Sequence, residues 1–109
     1  MLGEFEYIVL CAVERLGDDA YGAAVRELIQ TELGRACSIG ALYTTVDRLE
    51  GKGFLRTWMG DATPARGGRQ KRMIRLTREG ATEAAEFYAA VARASRGLAW
   101  ARAKSGGRP

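Results

Sequence analysis

Apolar residues return at steps of three and four from the start of the chain. Phe5, Ile8, Val9, Ala12, Val13 and Leu16 fall on one side of a helix, and Gly17 is suited to end it. Tyr7, Leu10 and Cys11 lie on other sides of the same helix. A helix apolar on several sides needs cover on several sides, and in so short a chain part of that cover is expected from a second subunit. Asp18 and Asp19 carry N-cap chemistry and predict a second helix, with Tyr21, Ala24, Val25, Leu28 and Ile29 as its apolar face and Gly34 at its close. Ser38 predicts the cap of a third helix over 39–51, followed by Gly53. Ile39, Leu42, Val46 and Leu49 form its core side. At 100° per residue its outer side is centred on Thr44, with Gly40, Asp47, Arg48 and Gly51 around it and Tyr43 and Thr45 on the shoulders.

The period then changes from helical to alternating. Segments 54–60 and 72–76 read as two short strands, joined by a polar loop with one proline and two adjacent glycines. Thr77 predicts the cap of a last helix over 78–104, about 40 Å long at 1.5 Å per residue, with Gly97 as its weak point. Its stripe (Ala81, Ala84, Ala85, Tyr88, Val91, Ala92, Leu98 and Ala99) has too little bulk to stand alone and too much apolar surface to face water. The expected partner is the same helix of a second copy, with Tyr7, Leu10, Tyr88, Val91 and Leu98 as dimerisation residues. The fold class is mainly α with a small β-hairpin: a winged helix-turn-helix over 1–77, a C-terminal dimerisation helix over 78–104 and a disordered tail over 105–109.

Charge sharpens this picture. The net charge of +4 on 109 residues is unevenly placed. Residues 1–34 hold seven acids against two bases, and residues 35–80 hold ten bases against four acids. That asymmetry is expected where one face meets a polyanion. The absence of histidine removes the commonest general base and metal ligand. Two cysteines make neither a disulfide framework nor a four-ligand metal site. Cys11 reads as a small buried hydrophobe and Cys37 as a turn residue. No enzyme activity and no cofactor is expected. The longest apolar run, 7–13, has seven residues, far short of a membrane span. With acids where a leader peptide would be basic, a cytoplasmic location is expected.

A duplex is the polyanion that suits these elements. Gly40, Thr44 and Gly51 hold no bulk against a groove floor, and Tyr43, Thr44, Thr45 and Arg48 offer hydrogen-bonding groups to bases or phosphates. The helix start at Ser38 and Gly40 presents backbone amides to a phosphate. Arg66, Arg69, Lys71 and Arg72 form a basic hairpin tip and root for the neighbouring backbone, and Lys52 reads either as a phosphate contact or as ordinary surface. The expected function is a sequence-specific DNA-binding transcriptional regulator, a homodimer on an inverted repeat. The alternative is a winged helix serving as a protein-interaction module through its acidic first third.

Residues 38–53 (SIGALYTTVDRLEGKG) and 66–80 (RGGRQKRMIRLTREG), with the Tyr21-Gly22 pair, resemble the third helix, wing and second helix of the PadR family of bacterial transcriptional regulators. The length resembles the short subgroup with one C-terminal helix. The resemblance implies a homodimeric repressor whose third helix enters the major groove and whose wing contacts the backbone, with Tyr43, Arg48 and Lys71-Arg72 at the family's DNA-facing positions. It also implies, for some short members, a small planar effector between subunits, where Trp100 would be filler or pocket wall. Gln70 stands where the family's wing usually has proline, Met73-Ile74 where it has two tyrosines, and Thr44 where proline is frequent.

Overall fold

The computed structural model describes residues 1–60 and 70–102. Four helices and one hairpin follow in the expected order: α1 (Glu4–Leu16), α2 (Gly22–Thr31), α3 (Ile39–Gly51), β1 (Leu55–Met59), β2 (Arg72–Leu76) and α4 (Arg78–Ser95). The hairpin is antiparallel, with Leu55 opposite Leu76 and Met59 opposite Arg72. Segment 20–21 lies along the other edge of β2, where the Ile74 amide donates to the Ala20 carbonyl at 3.0 Å and Tyr21 bridges Met73.

Three helix ends follow from local chemistry. Ser38 Oγ accepts from the Ala41 amide at 3.1 Å and Thr77 Oγ1 from the Gly80 amide at 3.0 Å, so both predicted caps form. Gly17 ends α1 with φ at 57°. Asp18 and Asp19 do not cap α2: they sit in a single 3-10 turn, and α2 starts at Gly22 after an extended Tyr21. The cause is the short strand pairing of 20–21 with β2, which holds the chain extended just where the caps were expected. α2 also stops at Thr31, before Gly34.

The last helix is shorter than its periodicity suggests. α4 ends at Ser95, after 18 residues or about 27 Å. Gly97 takes φ of 80°, which turns the chain out of the helix, and 99–101 form one 3-10 turn. The expected tail, 105–109, and the last two positions of the expected helix lie outside the described residues.

The core is Val9, Leu10, Ala12 and Val13 of α1, Val25 and Ile29 of α2, Leu42, Val46 and Leu49 of α3, and Leu55 and Ile74 of the hairpin. α1 sits at its centre, packed by α2, α3, α4 and β2. Leu10 is therefore corrected from a dimerisation residue to a core residue: at 0% exposure it has no surface for a partner. Ile39, read as core, is 44% exposed, and Ser38, Ile39, Gly40 and Ala41 are all exposed, so the first turn of α3 projects beyond the packed layer. On α4 the residue that docks is Phe87, which stacks on Tyr7 at 4.6 Å between ring centroids, while Tyr88 points outward at 63% exposure. Tyr7 is thus engaged within its own chain and half-buried.

The hairpin meets α4 through Thr77 and Gly80. Thr77 donates its hydroxyl to the Gly53 carbonyl at 2.7 Å and its amide to the Phe54 carbonyl at 3.1 Å. Gly80 is buried with the Phe54 carbonyl directly over its Cα, where a Cβ would overlap backbone. Alanine normally favours a helix interior over glycine, but here the overlap dominates. Gly80→Ala is expected to lower unfolding free energy by about 1–3 kcal/mol, the usual cost of forcing bulk into a packed site. Urea denaturation checks this, and a stability equal to or above wild type would contradict it.

Candidate nucleic-acid interface

The outer side of α3 carries Gly40, Thr44, Asp47, Arg48 and Gly51, all exposed. Thr45 does not belong with them. It is 5% exposed, because it lies three residues after Leu42 and four before Leu49 and so faces the core. Its expected role at a groove is withdrawn on that ground. Tyr43 stands half-buried at the edge of the stripe. Its hydroxyl end rests on Gly22, where any Cβ would collide with it, and the Arg72 guanidinium lies 5.4 Å from its ring centroid. The Tyr21-Gly22 pair therefore has a steric meaning: the glycine makes room for the tyrosine of α3.

The hairpin joins this surface at its root. β2 alternates Arg72, Ile74 and Leu76 on one side, and Ile74 is buried, so Arg72 hangs at the core margin beside α3. Its Nη2 reaches Asp47 Oδ1 at 2.8 Å, Glu50 Oε1 at 3.3 Å and Thr57 Oγ1 at 3.3 Å. Glu50 in turn accepts from the Thr57 amide at 3.1 Å and from its hydroxyl at 3.0 Å. Arg72, expected at a phosphate, is thus committed to fixing the wing against α3. Lys71 stands one residue away with its ammonium 4.9 Å from the Tyr21 ring centroid. Arg66 and Arg69 lie outside the described residues.

The far end of α3 is anchored by a residue that periodicity gave no reason to single out. Glu6 is 8% exposed on α1. Its Oε1 accepts from the Gly3 amide at 2.9 Å, and its Oε2 faces Lys52 Nζ at 3.1 Å and an Arg48 nitrogen at 4.0 Å. Lys52, read as phosphate contact or plain surface, is an ion-pair partner here, and Arg48 keeps 54% of its side chain exposed. Burial alone would push the Glu6 carboxyl up; the Gly3 amide, Lys52 and Arg48 outweigh it and hold the carboxyl below its ordinary value. Arg26 was equally illegible: its Nε donates to the Cys37 carbonyl at 2.8 Å and pins the turn between α2 and α3. Cys37 lies in that turn as expected but is also buried at 4% exposure, which raises its thiol pKa despite Arg26 and Arg35, while Cys11, expected to be buried, is half-buried.

A second surface lies along α4 and the turn that follows it. Tyr88, Val91, Leu98 and Trp100 are exposed by 63, 48, 37 and 82%. Open grooves of about 460 and 470 Å³ flank the helix, one against Tyr7 and Cys11 of α1 and the other against Met1 and Leu2. Among the described residues no group of three metal-ligating side chains occurs, and no helix is long and apolar enough to cross a membrane.

The Glu6 anchor makes a pH-dependent prediction. Glu6→Gln removes the charge opposite Lys52 and Arg48 and is expected to cost about 1 kcal/mol at neutral pH. A carboxyl depressed in the folded state contributes fully above its unfolded value, near 4.5, and loses that contribution as pH falls through the lower folded value. Urea unfolding of wild type and variant should therefore converge well below pH 4.5; a gap that persists unchanged at about pH 3 would contradict the anchor.

The geometry can be set beside known proteins. The profile described as "Transcriptional regulator PadR-like family" matches residues 9–86. No curated protein sequence matches the chain. Among solved structures, a PadR-like transcription factor from Bacteroides fragilis is similar at a TM-score of 0.70 and 20% identity, over 84% of this chain and 82% of that one. A PadR family transcriptional regulator from Eggerthella lenta gives 0.68 and 23%, over 87% and 82%. Bacillus subtilis PadR, solved in complex with operator DNA, gives 0.66 and 21%, over 77% of this chain and 47% of that protein, so this chain matches only about half its length. At these identities the structural likeness establishes the winged-helix fold. The profile covers most of the chain, and the chain belongs to the PadR-like family of transcriptional regulators.

Proposed function

We propose that the protein is a homodimeric DNA-binding repressor that reads an inverted-repeat operator through α3 and grips the flanking backbone through its wing. The observation that carries this reading is the junction at Arg72. A wing residue meets Asp47 on the exposed stripe of α3 at 2.8 Å, so the hairpin root and that stripe adjoin and one duplex can touch both. The projecting first turn of α3, with Ser38 and Gly40 exposed and Thr44 exposed one turn on, supplies a slim leading end for a major groove. Tyr43, Arg48, Lys52, Lys71, Arg66 and Arg69 are assigned to the surrounding phosphates or base edges. Bacillus subtilis PadR, solved in complex with operator DNA, supports the DNA-binding part of this reading.

The acidic first third offers less of a docking face than its composition suggests. Glu4 pairs with Arg35 at 3.0 Å, Glu6 with Lys52 at 3.1 Å and Asp18 with Arg75 at 2.8 Å. Three of the seven acids thus meet the chain's own bases, which favours the DNA reading over the protein-interaction one. For the homodimer, the support is the outward pair Tyr88 and Val91 on α4, with exposed Leu98 beyond the helix end and Tyr7 lining the adjoining groove. Two such domains around a twofold axis would present their α3 helices to half-sites about one helical turn apart, or a multiple of it. Repression would follow from occupying a promoter.

Anisotropy titrations on the DNA upstream of its own coding sequence test the DNA reading. Binding should be much tighter than to a scrambled duplex and should weaken steeply with salt. Arg48→Ala should cost on the order of 1–3 kcal/mol on the specific duplex, and Lys71→Ala should lower the salt slope by about one. Equal affinity for both duplexes would overturn the reading. Separately, sedimentation should give a dimer at micromolar concentration and a folded monomer for Val91→Glu; a wild-type monomer would remove the assigned role of α4.

A further inference from the structure

We propose that Asp47 is a specificity-determining residue that accepts a hydrogen bond from the exocyclic amine of a cytosine, with Arg72 as the positioning residue that makes this possible. The inference rests on the DNA-binding reading above and goes beyond it. Asp47 lies on the outer stripe of α3 with Thr44 and Arg48, and 65% of its side chain is exposed. A carboxylate there is unwelcome beside phosphates unless its charge is offset. Arg72, which Glu50 shares at 3.3 Å, supplies part of that offset at 2.8 Å and holds Oδ1. The guanidinium cannot swing away freely, because Glu50 and Thr57 each hold it at 3.3 Å and the Tyr43 ring lies beneath it at 5.4 Å.

The carboxylate is therefore oriented from one side and open on the other. Among the described residues no hydrogen bond takes Oδ2. An ionised carboxylate is an acceptor only. In the major groove the base that offers a donor without an adjoining acceptor is cytosine, through its N4 amine; adenine sets its own N7 acceptor beside its amine. An acid locked on the groove-facing stripe thus selects cytosine, and it does so only while Arg72 holds and aims it.

Selection from a random duplex pool with the full chain tests this, comparing wild type with Asp47→Asn and Asp47→Ala. Wild type should enrich sites with one fixed C·G pair in each half, whose replacement lowers affinity on the order of tenfold. Asp47→Ala should make that position degenerate and leave the others unchanged. Asp47→Asn should move the preference there toward adenine, since an amide both donates and accepts. An unchanged consensus in both variants overturns the proposal. So does a uniform loss of affinity with the same consensus, which would make Asp47 only an anchor for Arg72. If wild type enriches no sequence at all, the DNA-binding reading itself fails and this inference goes with it.

Discussion

The relation between wing and third helix turns on one guanidinium at the root of the hairpin, backed by the bonds from Thr57 to Glu50. A two-stranded hairpin has little stability of its own and twists readily, so its angle to the rest of the domain must be set by what grips its root. Ile74 on β2 enters the core, which fixes the strand's face, and the same alternation delivers Arg72 to the margin of α3. There it is partly desolvated, with 25% of its side chain exposed, and such a charge is stable only when paired and hydrogen-bonded. Asp47, Glu50 and Thr57 supply those partners together. Satisfying Arg72 therefore requires the hairpin and the helix to take one mutual orientation. The two surfaces assigned to a duplex are aligned by the electrostatic needs of a side chain between them.

A related economy governs the acids of α1. In a chain whose middle section is strongly basic, a negative first third could repel the same duplex the rest attracts. The fold turns the most consequential of these acids inward. Glu6 is buried under the end of α3 and sets the base of Arg48 and Lys52 without facing outward. Glu4 meets Arg35 where the chain crosses between α2 and α3, and that guanidinium also lies 5.3 Å from the Phe5 ring centroid. Glu4 and Glu6 thus position basic segments rather than compete with them.

How much of this was legible depends on the range of the interaction. Periodicity alone located all four helices and both strands, because burial selects side chains at steps of three and four or at steps of two. The caps at Ser38 and Thr77 were legible because they act within three residues. The failures share a cause. Asp18 and Asp19 looked like caps, but pairing of 20–21 with β2, more than fifty residues away, delayed α2 to Gly22. Thr45 and Leu10 sat near the border between faces, where a helical wheel does not say how wide the buried sector is; α1 is covered by four elements and α3 is buried along Leu42, Thr45, Val46 and Leu49. The ion pairs of Glu6 and Arg72 and the bond from Arg26 to Cys37 could not be read at all, since those partners are at least eleven residues distant and no local spacing marks them.

The same reasoning explains why α4 is shorter than its periodicity suggests and still leaves apolar side chains exposed. Its stripe of alanines continues past Ser95, so periodicity extends it; Gly97 stops it, because a left-handed residue cannot continue a right-handed helix. Within one chain α4 docks by little more than Ala84, Phe87 and the buried Gly80. That leaves Tyr88 and Val91 facing water on a helix whose other side already leans on α1. Apolar side chains in a row beside open grooves on both flanks are stable in water only at a cost that a second copy would relieve. The proposed twofold pairing would cover that row, and through Tyr7 and Phe87 it would bear on α1, the element that also carries Glu6 beneath the end of α3. Dimer contact and the direction of the DNA-facing bases would then be joined by a single helix.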